Sequence, residues 1–408
     1  MTLSPPDIAA IRSRFPSLAQ DFAFFENAGG SQLPGVVIDA MTQFMRSDYV
    51  NIGGMYPASE RATKVAREAH SFLNLMFNGV GLGHVAMGPS STALLYMLAN
   101  CIGETLSPGD EVIVSVANHE CNVGPWVRLA SRGVVVKWWG VHPTSGLSSI
   151  EELEALVTER TKVVAFPRTS NLLGDIVDVQ AVSRAAHRVG AIVVADVVAS
   201  ASHEAMDVRA WECDFCVFSN YKVYGPHAAA MFGTTEAWAK LSGPNHFFIK
   251  PSGSAAKFEL GCISYEACAG ILALADYLRF LVGEPNAATN RALIEGGFGR
   301  MSELEKPLKT RLMTYLASRD DIKIWGSAEP EADRHPTISF VHKTKDSSEL
   351  CRMICDRGFG IKSGHMYAYR LCESLGISTD TGVVRISAVH TNSMDEIERL
   401  IAVLDEVL

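Results

Sequence analysis

The chain has no run of about 18 uninterrupted apolar residues, so no membrane-spanning helix is expected. Its first residues, MTLSPPDIAAIRSRFPSL, lack a basic segment followed by an apolar stretch, which argues against a secretory leader. Positive charge is in short supply: 36 Lys and Arg stand against 45 Asp and Glu, a net charge of −9. A nucleic-acid surface needs a basic field, so that class of partner is set aside. Internal repeats and low-complexity tracts are also missing. The nine cysteines are odd in number and scattered at 101, 121, 213, 216, 262, 268, 351, 355 and 372. That pattern reads as a reduced, cytoplasmic protein rather than a disulfide scaffold. Cys213 and Cys216 have redox spacing, yet they sit in the apolar run CDFCVF with no second ligand pair following. They read as buried small hydrophobes, and no metal centre is expected.

What is present is an ordinary globular composition, 48% hydrophobic and 20% charged over 408 residues, enough for two or three domains. From about residue 85 to 235, strand-like and helix-like segments alternate. The turn GPSS opens the helix TALLYMLANCI, and the strand DEVIVSV follows. Then come the helix NVGPWVRLASRG, the strand VVVKWWG, the helix SIEELEALV and the strand TKVVAF. The helix VQAVSRAAHRVG and the strands AIVVADVV, CDFCVF and AAAMFGT complete the series. Strands that are apolar throughout, separated by helices, indicate a parallel sheet covered on both faces, with ligands beyond its carboxyl ends. A loop rich in Gly, Pro and Ser (LSGPNHFFIKPSGSAAK) precedes the helix YEACAGILALADYLRFLV and a helical stretch at 288–318. The last ninety residues read strand, helix, strand, helix, a smaller α+β domain with which the N-terminal helix DIAAIRSRF is expected to pack. The division expected is 21–270 for the large domain, with 1–20 and 271–408 forming the small one.

Three strand ends carry polar residues. AIVVADVV ends on Asp196, which as a lone residue could be a simple turn former. CDFCVFSNYKVYGP places Lys222 just past a strand, beside Ser219 and Tyr221, where an exposed loop lysine is the plain alternative. VVAFPRTSNLLG places Asn171 beyond a third strand. Together they point to one chemistry. A lysine can form a Schiff base with an aldehyde cofactor, and a carboxylate can keep a pyridine nitrogen protonated. The 26 residues from Asp196 to Lys222 allow one helix and one strand. Gly88 to Thr92 (GPSST) offers hydroxyls and a helix N-terminus to a phosphate, or else merely a cap. His119, in VANHECN, could stack on a ring, or join Glu120 and Cys121 at a metal; the lack of further matching His or Cys disfavours the metal.

With these motifs in order, the sequence resembles the pyridoxal-phosphate-dependent class V aminotransferase family of fold type I, in its cysteine-desulfurase-like branch. The resemblance runs from FFENAGGSQLP at residue 24 to VVRISAVHTNS at residue 394. It implies an α/β fold, a three-layer αβα large domain with a mainly parallel sheet plus a smaller α+β domain. It also implies a homodimer with shared active sites and pyridoxal 5'-phosphate as cofactor. By position, Lys222 would be the Schiff-base lysine, Asp196 the partner of the pyridine nitrogen and His119 the ring-stacking residue. Ser90, Ser91 and Ser219 would contact the phosphate, and Asn171 would lie near the phenolate oxygen and the substrate carboxylate. Arg385 would clamp that carboxylate, as its planar fork suits. Ala28 and Gly29 would line the substrate site.

The departures bear on function. Ala199 replaces the usual Gln or His, and Tyr221 the common His before the lysine. Cys262 stands for the Thr that reaches a phosphate from the partner subunit. In IKSGHMYAYR, Lys362 replaces an arginine and Tyr367 falls where the persulfide-forming cysteine would be. Cys372, five residues on, reads as packed inside a helix. A phenol cannot relay sulfur, so the expected activity is a lyase that cleaves a C–S or related bond of an amino acid by elimination. Transamination or epimerisation of a small amino acid is the alternative, and a non-catalytic binding role is disfavoured by the retained Lys, Asp, His, Asn and Arg set.

Overall fold

The computed structural model describes residues 5–249 and 255–408. Its strands are, in chain order, β1 Ala23–Phe24, β2 Gly83–Gly88, β3 Glu111–Ser115, β4 Val135–Trp139, β5 Thr161–Pro167, β6 Ile192–Asp196 and β7 Phe215–Ser219. They continue with β8 Ala229–Thr234, β9 Ile322–Trp325, β10 Thr337–His342, β11 Phe359–Gly360, β12 Lys362–Gly364 and β13 Val383–Ser387. The fold is α/β, with a mixed, mainly parallel seven-stranded central sheet, helices, and a separate four-stranded antiparallel sheet. Every residue of β3 and β7 is buried, the apolar VIV and FCVF as well as the polar Glu111, Ser115 and Ser219 at their ends, as expected for strands covered on both faces.

Contacts group the chain into two units, each assembled from separated segments. The first comprises 1–19, 31–105 and 204–300. It holds β2, β8 and β7 in that order, both pairs antiparallel. Ser91–Gly103 is its helix after β2, capped by the Ser90 hydroxyl, which accepts from the Ala93 N–H at 3.1 Å. The second comprises 20–30, 106–203 and 301–408. It holds β6, β5, β3 and β4 in parallel register, the antiparallel order β12-β13-β10-β9, and the parallel pair β1-β11. Phe25, Leu312, Phe340, Ile354, Ile386 and Leu400 belong to one of its cores. Helix Met394–Val407 seals that core with its apolar face and begins with a capping box between Ser393 and Glu396. The large sheet lies within 83–234 and the small one within 322–387, on either side of the expected boundary at 270. The contact grouping is a different partition, and in it the N-terminal helix Ile8–Arg12 goes with the first unit, not with 301–408.

The structure corrects the sequence reading at several elements. NVGPWVRLASRG is not one helix but a four-residue α turn, Gly124–Val127, between 3-10 turns; Pro125, which has no N–H, sits in its first turn and marks where it begins. β8 runs antiparallel to β7, whereas a parallel strand was expected. β2, in GHVAMG, was not anticipated. Cys213 lies just before β7 and Cys216 within it; both are buried, and neither is in a disulfide. In the loop LSGPNHFFIKPSGSAAK, residues 250–254 lie outside the described residues, as do residues 1–4 of the N-terminal segment. Among the described residues, no helix is long and apolar enough to cross a membrane.

Candidate active site

In the first unit, Lys222 ends a 3-10 turn, Asn220–Lys222, directly after β7. Ser31 brackets it, a residue the sequence reading passed over. The Ser31 hydroxyl donates to the Tyr221 carbonyl (3.0 Å) and accepts from the Tyr224 N–H (2.8 Å). Two hydrogen bonds thus fix the backbone on either side of the lysine. The Tyr221 ring stacks on His227, with centroids 4.9 Å apart. At the start of helix Ser91–Gly103, the hydroxyls of Ser91 and Ser219 lie 2.7 Å apart, both buried. Ser90, Ser91 and Ser219 therefore gather where the helix presents its positive end. Cys262 is exposed and lies on the wall of a pocket of about 430 Å³ with Met87, Pro89, Leu94, Met97 and Phe258.

In the second unit, Asp196 closes β6 and is buried. Its Oδ1 accepts from the Val198 N–H (2.9 Å) and its Oδ2 from the Cys121 thiol (3.5 Å). His119 follows β3, and its Nδ1 accepts from the Cys121 N–H at 3.1 Å. The turn that carries it is tied down from both ends. The Asn118 amide donates to the Ala165 carbonyl (3.1 Å), and the Trp126 indole N–H to Asn122 Oδ1 (2.9 Å). The Tyr367 ring lies against His119, with centroids 5.1 Å apart and planes 32° apart. Glu120 turns to Arg370 at 3.6 Å and Cys121 to Asp196, so neither joins His119 around a metal. Burial raises the Glu120 carboxyl above its usual range, against the pull of Arg370.

Met366 and Tyr367 both have positive φ, 47° and 62°, a conformation that costs non-glycine residues strain. Three hydrogen bonds hold it. The Asn171 amide donates to the Met366 carbonyl (2.8 Å), the Glu120 N–H to the Tyr367 carbonyl (2.8 Å), and the Tyr367 N–H to His365 Nδ1 (3.1 Å). The result is a tyrosine 65% exposed yet aimed at one histidine face.

Arg385 stands in β13, 2% exposed. Its Nη1 donates to the Asn171 carbonyl (2.9 Å) and its Nη2 to Glu26 Oε1 (3.4 Å). Burial pushes it down to about 10, with Glu26 pulling the other way, so it remains a cation at neutral pH. Arg385 Nε and Asn171 Oδ1 are buried without a hydrogen-bond partner. Such orphaned groups cost about 1–3 kcal/mol each and mark a place for a polar ligand. Lys362 lies 3.8 Å from the same Glu26 oxygen. Ala28 donates its N–H to the Ser387 hydroxyl (2.8 Å), and Gly29 lies under Glu26, where a Cβ would stand 2.1 Å from Oε1. Glu26 went unread in the sequence; the signal was an acid two residues before Ala28 in FFENAGG.

The donor set suits pyridoxal phosphate. The first unit offers serine hydroxyls at a helix N-terminus and an amine, and the second a buried carboxylate, an imidazole and an arginine edge with an unfilled donor. No group of three or more potential metal ligands occurs among the described residues. The Cys372 thiol is a poor nucleophile: it is buried in helix Tyr369–Leu375, and desolvation pushes it up to about 11.

Residues 23–400 match the sequence model of the class V aminotransferases, and the chain belongs to that family of pyridoxal-phosphate-dependent enzymes. Among its relatives, the chain is 34% identical to aminotransferase-like protein FGM3 of Gibberella zeae, with both chains covered in full. It is 26% identical to cysteine desulfurase-like protein ustD of Aspergillus flavus, over 98% of this chain and 91% of that one. In structure it resembles the cysteine desulfurase of Thermococcus onnurineus with a TM-score of 0.86. That match covers 99% of this chain and 98% of the other at 22% identity, a likeness of fold. The cysteine-desulfurase-like branch expected from the sequence is thereby supported.

Proposed function

We propose that this enzyme cleaves a C–S or related bond of an amino acid by direct elimination and does not relay sulfur through a persulfide. The observation behind this reading is Tyr367 lying on His119. A sulfur relay needs a thiolate at that place on the loop, and a phenol holds no transferable sulfur.

Pyridoxal phosphate, when bound, supplies an aldehyde to capture the amino group and a ring to withdraw electrons. In this reading, Lys222 anchors the cofactor, then takes the proton from the substrate α-carbon while the sulfur leaves the neighbouring carbon as a thiolate, which picks up a proton to become the released sulfide or thiol. Asp196 keeps the pyridine nitrogen protonated from its buried position, and His119 covers the ring. Ser90, Ser91 and Ser219 hold the phosphate, with Tyr221 and Cys262 beside the cofactor. Arg385 takes the substrate carboxylate through its unpartnered Nε, and Asn171, with its Oδ1 acceptor unfilled, lies beside it. Ala28, Gly29, Lys362 and Tyr367 border the substrate. The function is proposed for a homodimer in the cytoplasm, with a large domain of 21–270 and a small one of 1–20 and 271–408.

The test is incubation of the holoenzyme with cysteine and with thioether amino acids, followed by alkylation and mass analysis. Elimination predicts sulfide or thiol, ammonia and a keto acid, with no persulfide on any of the nine cysteines. A persulfide whose formation depends on Lys222 would overturn the reading. Stoichiometric amino-group transfer would instead mark an aminotransferase, and loss of stereochemistry alone an epimerase.

A further inference from the structure

The carboxylate clamp already has a carboxylate on it. Glu26 Oε1 lies 3.4 Å from Arg385 Nη2 and 3.8 Å from Lys362 Nζ, so one oxygen is shared by two cations. The backbone places it there. Asn27 donates its N–H to the Ser387 carbonyl (3.4 Å) and its side-chain amide to the same oxygen (3.1 Å), which ties the segment to β13, the strand of Arg385. Gly29 completes the seat, because any side chain there would occupy the Glu26 carboxylate position, 2.1 Å from Oε1.

We propose that Glu26 is a specificity-determining residue: it rests on the clamp in the free enzyme, gives way to the substrate carboxylate, and makes the subsite one for monocarboxylic amino acids. This rests on the reading of Arg385 as the clamp. The charge count gives the reason. Glu26 moves off Arg385 Nη2 but stays beside Lys362, so Arg385 and Lys362 bring two positive charges against its one negative, leaving one to neutralise. A single α-carboxylate balances it. A second carboxylate on the same ligand would leave an uncompensated negative charge next to a buried guanidinium, which is costly where water is scarce. The orphaned Arg385 Nε shows that the clamp keeps a donor in reserve even with Glu26 on it. Nε is the donor through which an incoming carboxylate first engages before Nη2 is surrendered.

The test uses two amino acids without an α-hydrogen, 2-methylalanine and 2-methylaspartate, titrated into the holoenzyme while the cofactor absorption is followed. No turnover is needed. Glu26→Gln should tighten 2-methylalanine about 3- to 10-fold, the scale of a partly exposed ion pair removed as a competitor. It should tighten 2-methylaspartate more, narrowing the discrimination between the two ligands. Gly29→Ala, which displaces Glu26 by a different route, should shift both in the same direction. Arg385→Leu serves as the control for the underlying reading and should weaken 2-methylalanine about 10- to 1000-fold. If Arg385→Leu weakens binding but Glu26→Gln leaves both ligands unchanged or weaker, the Glu26 proposal fails alone. Were Arg385→Leu without effect, the clamp and the Glu26 role would fall together.

Discussion

The hydroxyls near Lys222 and the groups near Arg385 are held in different ways. In the first unit Ser31 brackets the lysine and the Ser91 and Ser219 hydroxyls pair, although the Asn220 amide nitrogen is buried without a partner. In the second, Asn171 Oδ1 and Arg385 Nε are buried with no partner, and Glu26 bridges the cations that remain. A cluster of paired hydroxyls is built for a resident that arrives once and stays. An under-satisfied one keeps binding energy in reserve for a ligand that comes and goes.

Three substitutions would break or sharpen that contrast. The largest effect is expected from Lys222→Ala. It should abolish covalent attachment of the cofactor and lower turnover by several orders of magnitude, because one amine serves as anchor and base. Borohydride reduction and peptide mapping should label Lys222 alone in the parent enzyme; a label on another lysine would move the anchor elsewhere. Asp196→Asn comes next. The fold should survive, since an amide can still accept from Val198, but exchange of the substrate α-proton should slow by about 10²- to 10⁴-fold. Wild-type exchange measured in deuterated water would remove Asp196 from the role given to it. The smallest effect belongs to Tyr367→Phe. The ring contact with His119 is kept and only a hydroxyl is lost, so kcat/KM should change about two- to tenfold, with substrate preference shifted and persulfide still absent.

Much of this architecture could be read from the chain. β3 and β7 have apolar centres, VIV and FCVF, and they are strands buried on both sides. The helix after GPSS was legible from its cap and apolar pattern. Where the reading failed, a local signal was weak or was overridden. β2 is short, bounded by two glycines, and earns its place by pairing with β8, far along the chain. The reversed direction of β8 leaves no mark on its own composition. For the site, the chemistry-bearing residue types stood at strand ends and were named. Their geometry was not visible: nothing in IKSGHMYAYR announces two consecutive positive φ values, nor the Tyr367 ring on His119. Glu26 was illegible for a related reason, since an acid ahead of two glycines resembles an ordinary turn, and its partners lie at 362 and 385.

That last distance has a consequence for how the protein is made. Glu26 and Arg385 are 359 residues apart, and β1 pairs with β11, Ala23 against Phe359. A ribosome adding about 5–20 residues per second needs roughly 20–70 s to travel that far. Through that interval the nascent chain carries the β1 segment, AFF, with neither its strand partner nor its core. The unit that holds the carboxylate subsite is therefore the one that closes last, and its earliest-synthesised strand is a bare apolar edge for chaperones to shield until the C-terminal residues emerge.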